Sequence, residues 1–363
     1  MNTSTTSGAP LPASPSGMQP RANHSHPERP VRHSYPLAVE DASLGTALSL
    51  VMKTMPYALA RFGILLAVSV ISIVWYVVTF GGFGFLGSKV HPFAGYLWLF
   101  TGMGVYGYFW WTLVRYFLYM LKAGHVAVLT ELVTKGQIGA GDEGMFEYGK
   151  RVVTERFGQM NAMFALDMLV HGIVRAFNRT LDWIARLLPI PGLQNVVGVV
   201  NAIVYSATTF IDETILSYSL ARGDEDNFRS SRDGLIYYAQ NSKEVLKTGV
   251  WIVILDKVAT FAAWIVMMVP AMVVVWILPS SWAGVGGFAT LVFAGLFAWN
   301  LRAAFLEPLF LTMIMVKFHV SVRDQAIDET WDARLSAASD KFVELKNKIT
   351  GTTPAATTAA VAG

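Results

Sequence analysis

Residues 249–279 read GVWIVILDKVATFAAWIVMMVPAMVVVWILP, and no other stretch of the chain restricts its folding so strongly. A bilayer's hydrocarbon core, about 30 Å thick, takes roughly 20 apolar residues of helix. This segment exceeds that, yet it carries Asp256 and Lys257 near its start. Ionisable groups at membrane depth are expensive and pair, face the protein interior or snorkel. The segment therefore predicts a membrane helix whose entry is polar.

Three more segments read the same way. Phe62 to Phe80 is apolar and runs into GGFGFLG, residues 93–120 are apolar and rich in aromatics, and residues 285–315 are apolar but hold Asn300, Arg302 and Glu307-Pro308. Composition agrees, because charged residues make up 15% of the chain against about 25% in soluble domains. The predicted fold class is an all-α, polytopic helical membrane bundle with four clear spans, 62–80, 93–120, 249–278 and 285–315, plus amphipathic or re-entrant helices. Six spans is the alternative, because the apolar stretch 193–220 is interrupted by Asp212 and Glu213 and lies between two basic regions.

Flanking segments complete the domain plan. Residues 1–36, rich in Ser, Pro, Thr and Gly with no apolar run, read as a disordered tail, as does the Thr/Ala-rich 351–363. The membrane domain is 37–350. Asp41 is the expected N-cap of an interfacial helix over 42–60. Residues 146–188 and 322–349 carry apolar side chains at three- and four-residue spacing and read as amphipathic cytoplasmic helices. The second of these either recruits a protein partner or packs back on its own chain. Lys and Arg concentrate in 121–190, 221–248 and beyond 317, and the positive-inside rule places those regions and both termini in the cytoplasm. The chain is then a multi-pass protein of a plasma or inner membrane. Asn-x-Thr at Asn178 would face the cytosol.

No catalytic constellation appears. HExxH, GxSxG and a Walker A loop are missing, and the sequence holds no cysteine, which excludes disulfides, thiolate metal sites and a thiol nucleophile. The reading is not an enzyme, with no metal and no cofactor. A net charge of +3 points to no nucleic-acid partner. Gly102, Gly104 and Gly107 spell GxGxxG, but inside an apolar helix, where small residues allow close helix approach rather than dinucleotide binding. His24, His26 and His33 sit in the N-terminal tail and read as solvated.

The candidate site is therefore the set of polar groups within apolar segments: Asp256, Lys257, Asn300, Arg302 and Glu307, with Tyr106 and Trp110 as aromatic wall. Adjacent residues point about 100° apart on a helix, so Asp256 and Lys257 do not face each other. One of them pairs with Arg302 or Glu307, or Lys257 snorkels. Such groups either fix helix register or line a solute route.

Several pieces in this region occur together in order: Ile215-Leu216-Ser217-Tyr218, Ser231-Arg232-Asp233, Asn241, Leu255-Asp256-Lys257-Val258, and AAFLEPLFLTMI with Leu309, Phe310 and Leu311. Over about 212–315 this resembles the choline transporter-like family. The resemblance implies a membrane transporter for choline, ethanolamine or a similar small amine, with an acidic residue of the last span near Glu307. A cationic amine suits aromatic faces. The competing reading is a non-catalytic scaffold or assembly factor. A homo-oligomer is compatible with both.

Overall fold

The computed structural model describes residues 35–139, 143–156, 203, 205–206, 208–223, 226–277 and 286–350. Among these the secondary structure is helical, with no strand. Four helices are long and apolar enough to cross a membrane.

The chain enters through α1, Leu44–Lys53. Ser43, not Asp41, is its N-cap, accepting from the Thr46 amide, while Asp41 accepts from the Ser43 amide and from both the Ser43 and Thr46 hydroxyls. Its helix does not run on to residue 60. Thr54 interrupts it, and Pro56 sits in the first turn of α2, Met55–Lys89, where a missing N–H is harmless. α2 continues through the glycine-rich GGFGFLG, so the first span is longer than 62–80.

α3, Pro92–Phe109, returns antiparallel to α2. Glycines permit the approach. A Cβ on Gly95 would lie 2.8 Å from the Phe83 carbonyl oxygen, and one on Gly102 would lie 2.7 Å from Thr79. Gly104 and Gly107 face open space, so only the first glycine of GxGxxG serves the close contact. A π-turn at Trp110–Val114 leads into α4, Arg115–Lys135, which ends at Gly136 with a left-handed φ of 77°. The second span thus belongs to a helix running to Lys135, not 120.

Beyond the loop, α5 covers Met145–Arg156, and the remainder of the expected 146–188 helix, Asn178 included, lies outside the described residues, as do His24, His26 and His33. Asp212 and Glu213 open α6, Ile211–Arg222, which at 12 residues is about 18 Å long, with Ile211, Ile215 and Tyr218 buried in the main core; residues 193–202 of the apolar stretch 193–220 lie outside the described residues. α7 is Asn227–Gln240. α8, Ser242–Ile277, runs unbroken through Pro270 and is longer than 249–278 at its start. α9, Gly286–Leu301, a π-turn at Arg302–Leu306, and α10, Glu307–Val322, form the last long rod.

The single amphipathic helix expected over 322–349 is two helices, α11 (Glu329–Ala338) and α12 (Asp340–Thr350), broken at Ser339. Their apolar side turns inward: Leu335, Phe342 and Leu345 are buried with Ile236, Tyr237 and Phe318 in the principal core. A second core unites Leu50, Tyr57, Val128, Leu129, Val133, Met315 and Val316 from α1, α2, α4 and α10.

Two parts result. The ends of α4 and α10 join α1, α5–α7, α11 and α12 in a helical body. The rest of α2–α3 and α8–α9 forms two antiparallel hairpins with large apolar side chains exposed, among them Val74, Phe100, Val269 and Trp276. Such surface suits lipid rather than water.

Candidate functional site

Proline sets the geometry of the charged cluster. Pro308 has no N–H for the carbonyl four residues back and its ring would strike it. The chain responds with the π-turn at Arg302–Leu306, closed by the Glu307 amide on the Arg302 carbonyl. On a regular α-helix residues five apart point about 140° from each other. The wider π-turn brings them together, and Arg302 Nη1 reaches Glu307 Oε1 at 3.4 Å.

Arg302 Nε also donates to Asp256 Oδ1 on α8 at 2.7 Å, and its guanidinium lies 5.8 Å from the Trp299 ring centroid. The other Glu307 oxygen takes Arg61 Nη2 from α2 at 2.5 Å. Four charged groups on three rods thus form one chain, Asp256–Arg302–Glu307–Arg61, with no net charge. Arg61 is its one member that the sequence reading left out. Its signal was present, as the only basic residue between Lys53 and Lys89.

The cluster stands at the rim of the apolar layer. At 1.5 Å per residue, Asp256 is about 31 Å from the end of α8 at Ile277, and Arg302 about 24 Å from the start of α9 at Gly286. That is close to one hydrocarbon thickness from the hairpin loops.

The other candidates divide. Asn300 belongs to the same interface about two turns deeper along α2: it is buried, and its Nδ2 donates to Ser69 Oγ on α2 at 2.7 Å. Lys257 is exposed and has no place in the chain of charges. Tyr106 and Trp110 are elsewhere. Tyr106 hydrogen-bonds Ser72 at 2.7 Å, packs on Tyr76 and stacks with Trp110, about 16 Å along α2 from Arg61.

What unites these places is one face of α2. Arg61, Ser69, Ser72, Tyr76 and Thr79 recur at spacings of eight, three, four and three. They run about 27 Å along an otherwise apolar helix. Ser69 meets Asn300, Ser72 meets Tyr106, and Thr79 packs under Gly102, while Trp75 beside them donates to the Gly102 carbonyl at 2.9 Å. Serines and a threonine among apolar residues are a weak signal until their neighbours are known.

The helical body holds polar groups of its own. Arg222, Asp233, Arg232, Asp332 and Lys346 form a chain of ion pairs across α6, α7, α11 and α12. Arg232 and Asp233 of Ser231-Arg232-Asp233 therefore tie the body together, and Asn241 caps α7 while exchanging amide hydrogen bonds with Gln325. Glu213 is wholly buried against Lys122, and burial raises its carboxyl to about 8 despite that partner.

Another buried chain runs Tyr35–His319–Ser217–Thr130, each link 2.7 Å. Its direction is fixed at one end, because the Thr130 hydroxyl donates to the Val126 carbonyl. Ser217 must then donate to Thr130, His319 Nε2–H to Ser217, and the Tyr35 hydroxyl to His319 Nδ1. His319 is the neutral Nε2–H tautomer. Burial holds the Tyr35 phenol well above its ordinary range.

Comparison with protein-family models, curated proteins and solved structures finds no match to this chain.

Proposed function

We propose that the protein is a multi-pass membrane transporter that moves a small solute along the polar face of α2. The observation that carries this reading is that face itself, polar from the charged rim at Arg61 to Thr79, its inner half against the α8–α10 unit and its outer half against α3, in two hairpins whose outer surfaces are apolar. A polar path through hydrocarbon is costly to keep and marks ion or substrate routes. Both helix defects, the π-turns at Trp110 and Arg302, lie on rods that adjoin it, and such turns recur at functional sites.

The sequence resemblance to the choline transporter-like family suggests a small amine as the solute, with Glu307 as its carboxylate partner at the rim. On this reading both termini are cytoplasmic, the bilayer is a plasma or inner membrane, and the helical body lies beneath it. A scaffold role draws less support. The apolar side of 322–349, the best surface for recruiting a partner, is used within the chain's own core.

The test is uptake of labelled choline and ethanolamine into proteoliposomes, with protein-free liposomes as control. Saturable uptake that Glu307→Gln abolishes, in a variant that stays folded, is the expected result. Uptake no greater than in empty liposomes, or unchanged by Glu307→Gln, defeats the proposal.

A further inference from the structure

We infer that the Arg61–Glu307 bridge is a releasable lock between the two membrane hairpins, with Arg61 a positioning residue that sets how they are juxtaposed. The inference rests on the reading of α2 as the wall of a route, but its test does not use uptake.

The argument begins with charge. The hairpin of α8 and α9, with the start of α10, brings Asp256, Arg302 and Glu307 together: two carboxylates and one guanidinium, a net charge of −1. Lys257 on the same rod is exposed and outside the cluster. Arg61, from the other hairpin, neutralises the remainder. Beyond the two pairs inside the α8–α10 unit, the remaining ionic attraction therefore acts between the hairpins.

The bridge is also incompletely built. Arg302 uses its guanidinium on two carboxylates and a ring, whereas Arg61 reaches Glu307 through one nitrogen, and its Nε is buried with no hydrogen-bond partner. Arginine–carboxylate pairs are frequently bidentate, and this one is not. A single hydrogen bond to Glu307 therefore holds Arg61.

The surroundings suit rocking about this end. Next to the bridge, Leu65 packs with Ala303 and Ala304. Ala304 is fully buried, and such small side chains let the rods approach closely, with Phe62 against Phe305 beside them. Asn300–Ser69 follows, and farther out Ser72 and Trp75 bond to their own hairpin partner α3. Polar contact between hairpins is thus placed at the inner half of α2.

The chain has no cysteine, so introduced cysteines are unique labelling sites. Spin labels at Leu59→Cys and Val258→Cys, both exposed, flank the lock. Labels at Val77→Cys and Val292→Cys, also exposed, report the outer end. Double electron–electron resonance on the full chain in lipid then reads both ends. Arg61→Gln should add a longer inner distance, with a rise of roughly tenfold or more in the ratio of open to closed forms, as expected for losing a charged hydrogen bond. The outer pair should stay or shorten. Glu307→Gln should match it, and Arg61→Lys, which keeps the charge, should restore the native distribution. Native distances in both Gln variants overturn the inference, as does equal broadening at both ends, which would mean general loosening. Failure of both to fold overturns it too, since the bridge would then be a folding requirement. A lock without uptake would leave the inference standing and the transport reading defeated.

Discussion

Tyr35→Phe tests the hydrogen-bond direction worked out for the buried chain. The substitution removes one hydroxyl and keeps the ring that packs edge-on against Tyr218 and His319. It leaves His319 Nδ1 buried with a lone pair and no donor. An orphaned buried acceptor costs about 1–3 kcal/mol. Ser217→Ala should cost at least as much, because it strands the His319 Nε2–H, a donor with nowhere to turn, and takes a donor from Thr130. Thr130→Val should cost least, about 1 kcal/mol. The Val126 carbonyl keeps its backbone partner in α4, and only the Ser217 proton must find another acceptor. The assay is denaturant unfolding of the purified protein in detergent, with nitrogen-15 shifts of His319 reporting the tautomer. The native protein should show a neutral ring protonated at Nε2. A ring protonated at Nδ1, or Tyr35→Phe within about 0.5 kcal/mol of native with Thr130→Val the costliest, refutes the assignment.

Three further outcomes follow from the packing. Gly102→Leu should break the α2–α3 hairpin through its collision with Thr79, whereas Gly104→Ala should be tolerated; equal expression and melting of the two variants contradicts the close-approach argument. Phe342→Ala should cost about 3–5 kcal/mol in the same unfolding assay, since its ring is wholly buried, and a loss below about 1 kcal/mol means α12 is not docked as described. Glu213 titrates near 8 in the fold against 4.5 as its ordinary value, so the folded state holds the proton more tightly. Its contribution is then complete below about pH 4.5 and is lost as pH rises through 8, a slope that Glu213→Gln should flatten; a slope that survives the substitution assigns the effect to another group.

How far the sequence reached depends on the range of the interaction concerned. Four apolar stretches of spanning length announce four long helices, because hydrophobic length is a local property. Their ends differ for a local reason as well: Gly81, Gly82 and Gly84 lie beyond the span expected to end at Phe80, yet continue α2, because glycine's helix penalty of about 1 kcal/mol is overridden by packing on α3. The pairing of Asp256 with Arg302 was open to reasoning, since a buried charge requires a partner and few were on offer. The union of Arg302 with Glu307 was not, because α-helical spacing sets them on different sides and only the π-turn forced by Pro308 reverses that. Arg61 escaped for the opposite reason. It opens an apolar stretch, where an arginine ordinarily snorkels to the interface, and nothing local shows that a carboxylate 246 residues away lies opposite it. The same holds for the serines of α2: each is unremarkable alone, and their common face acquires meaning only when Asn300 and Tyr106 are found against it. A site whose members are spread over three rods cannot be read along any single rod. Here the sequence identifies which helices must carry unpaired polar groups, and the packing of the two hairpins decides which of those groups meet.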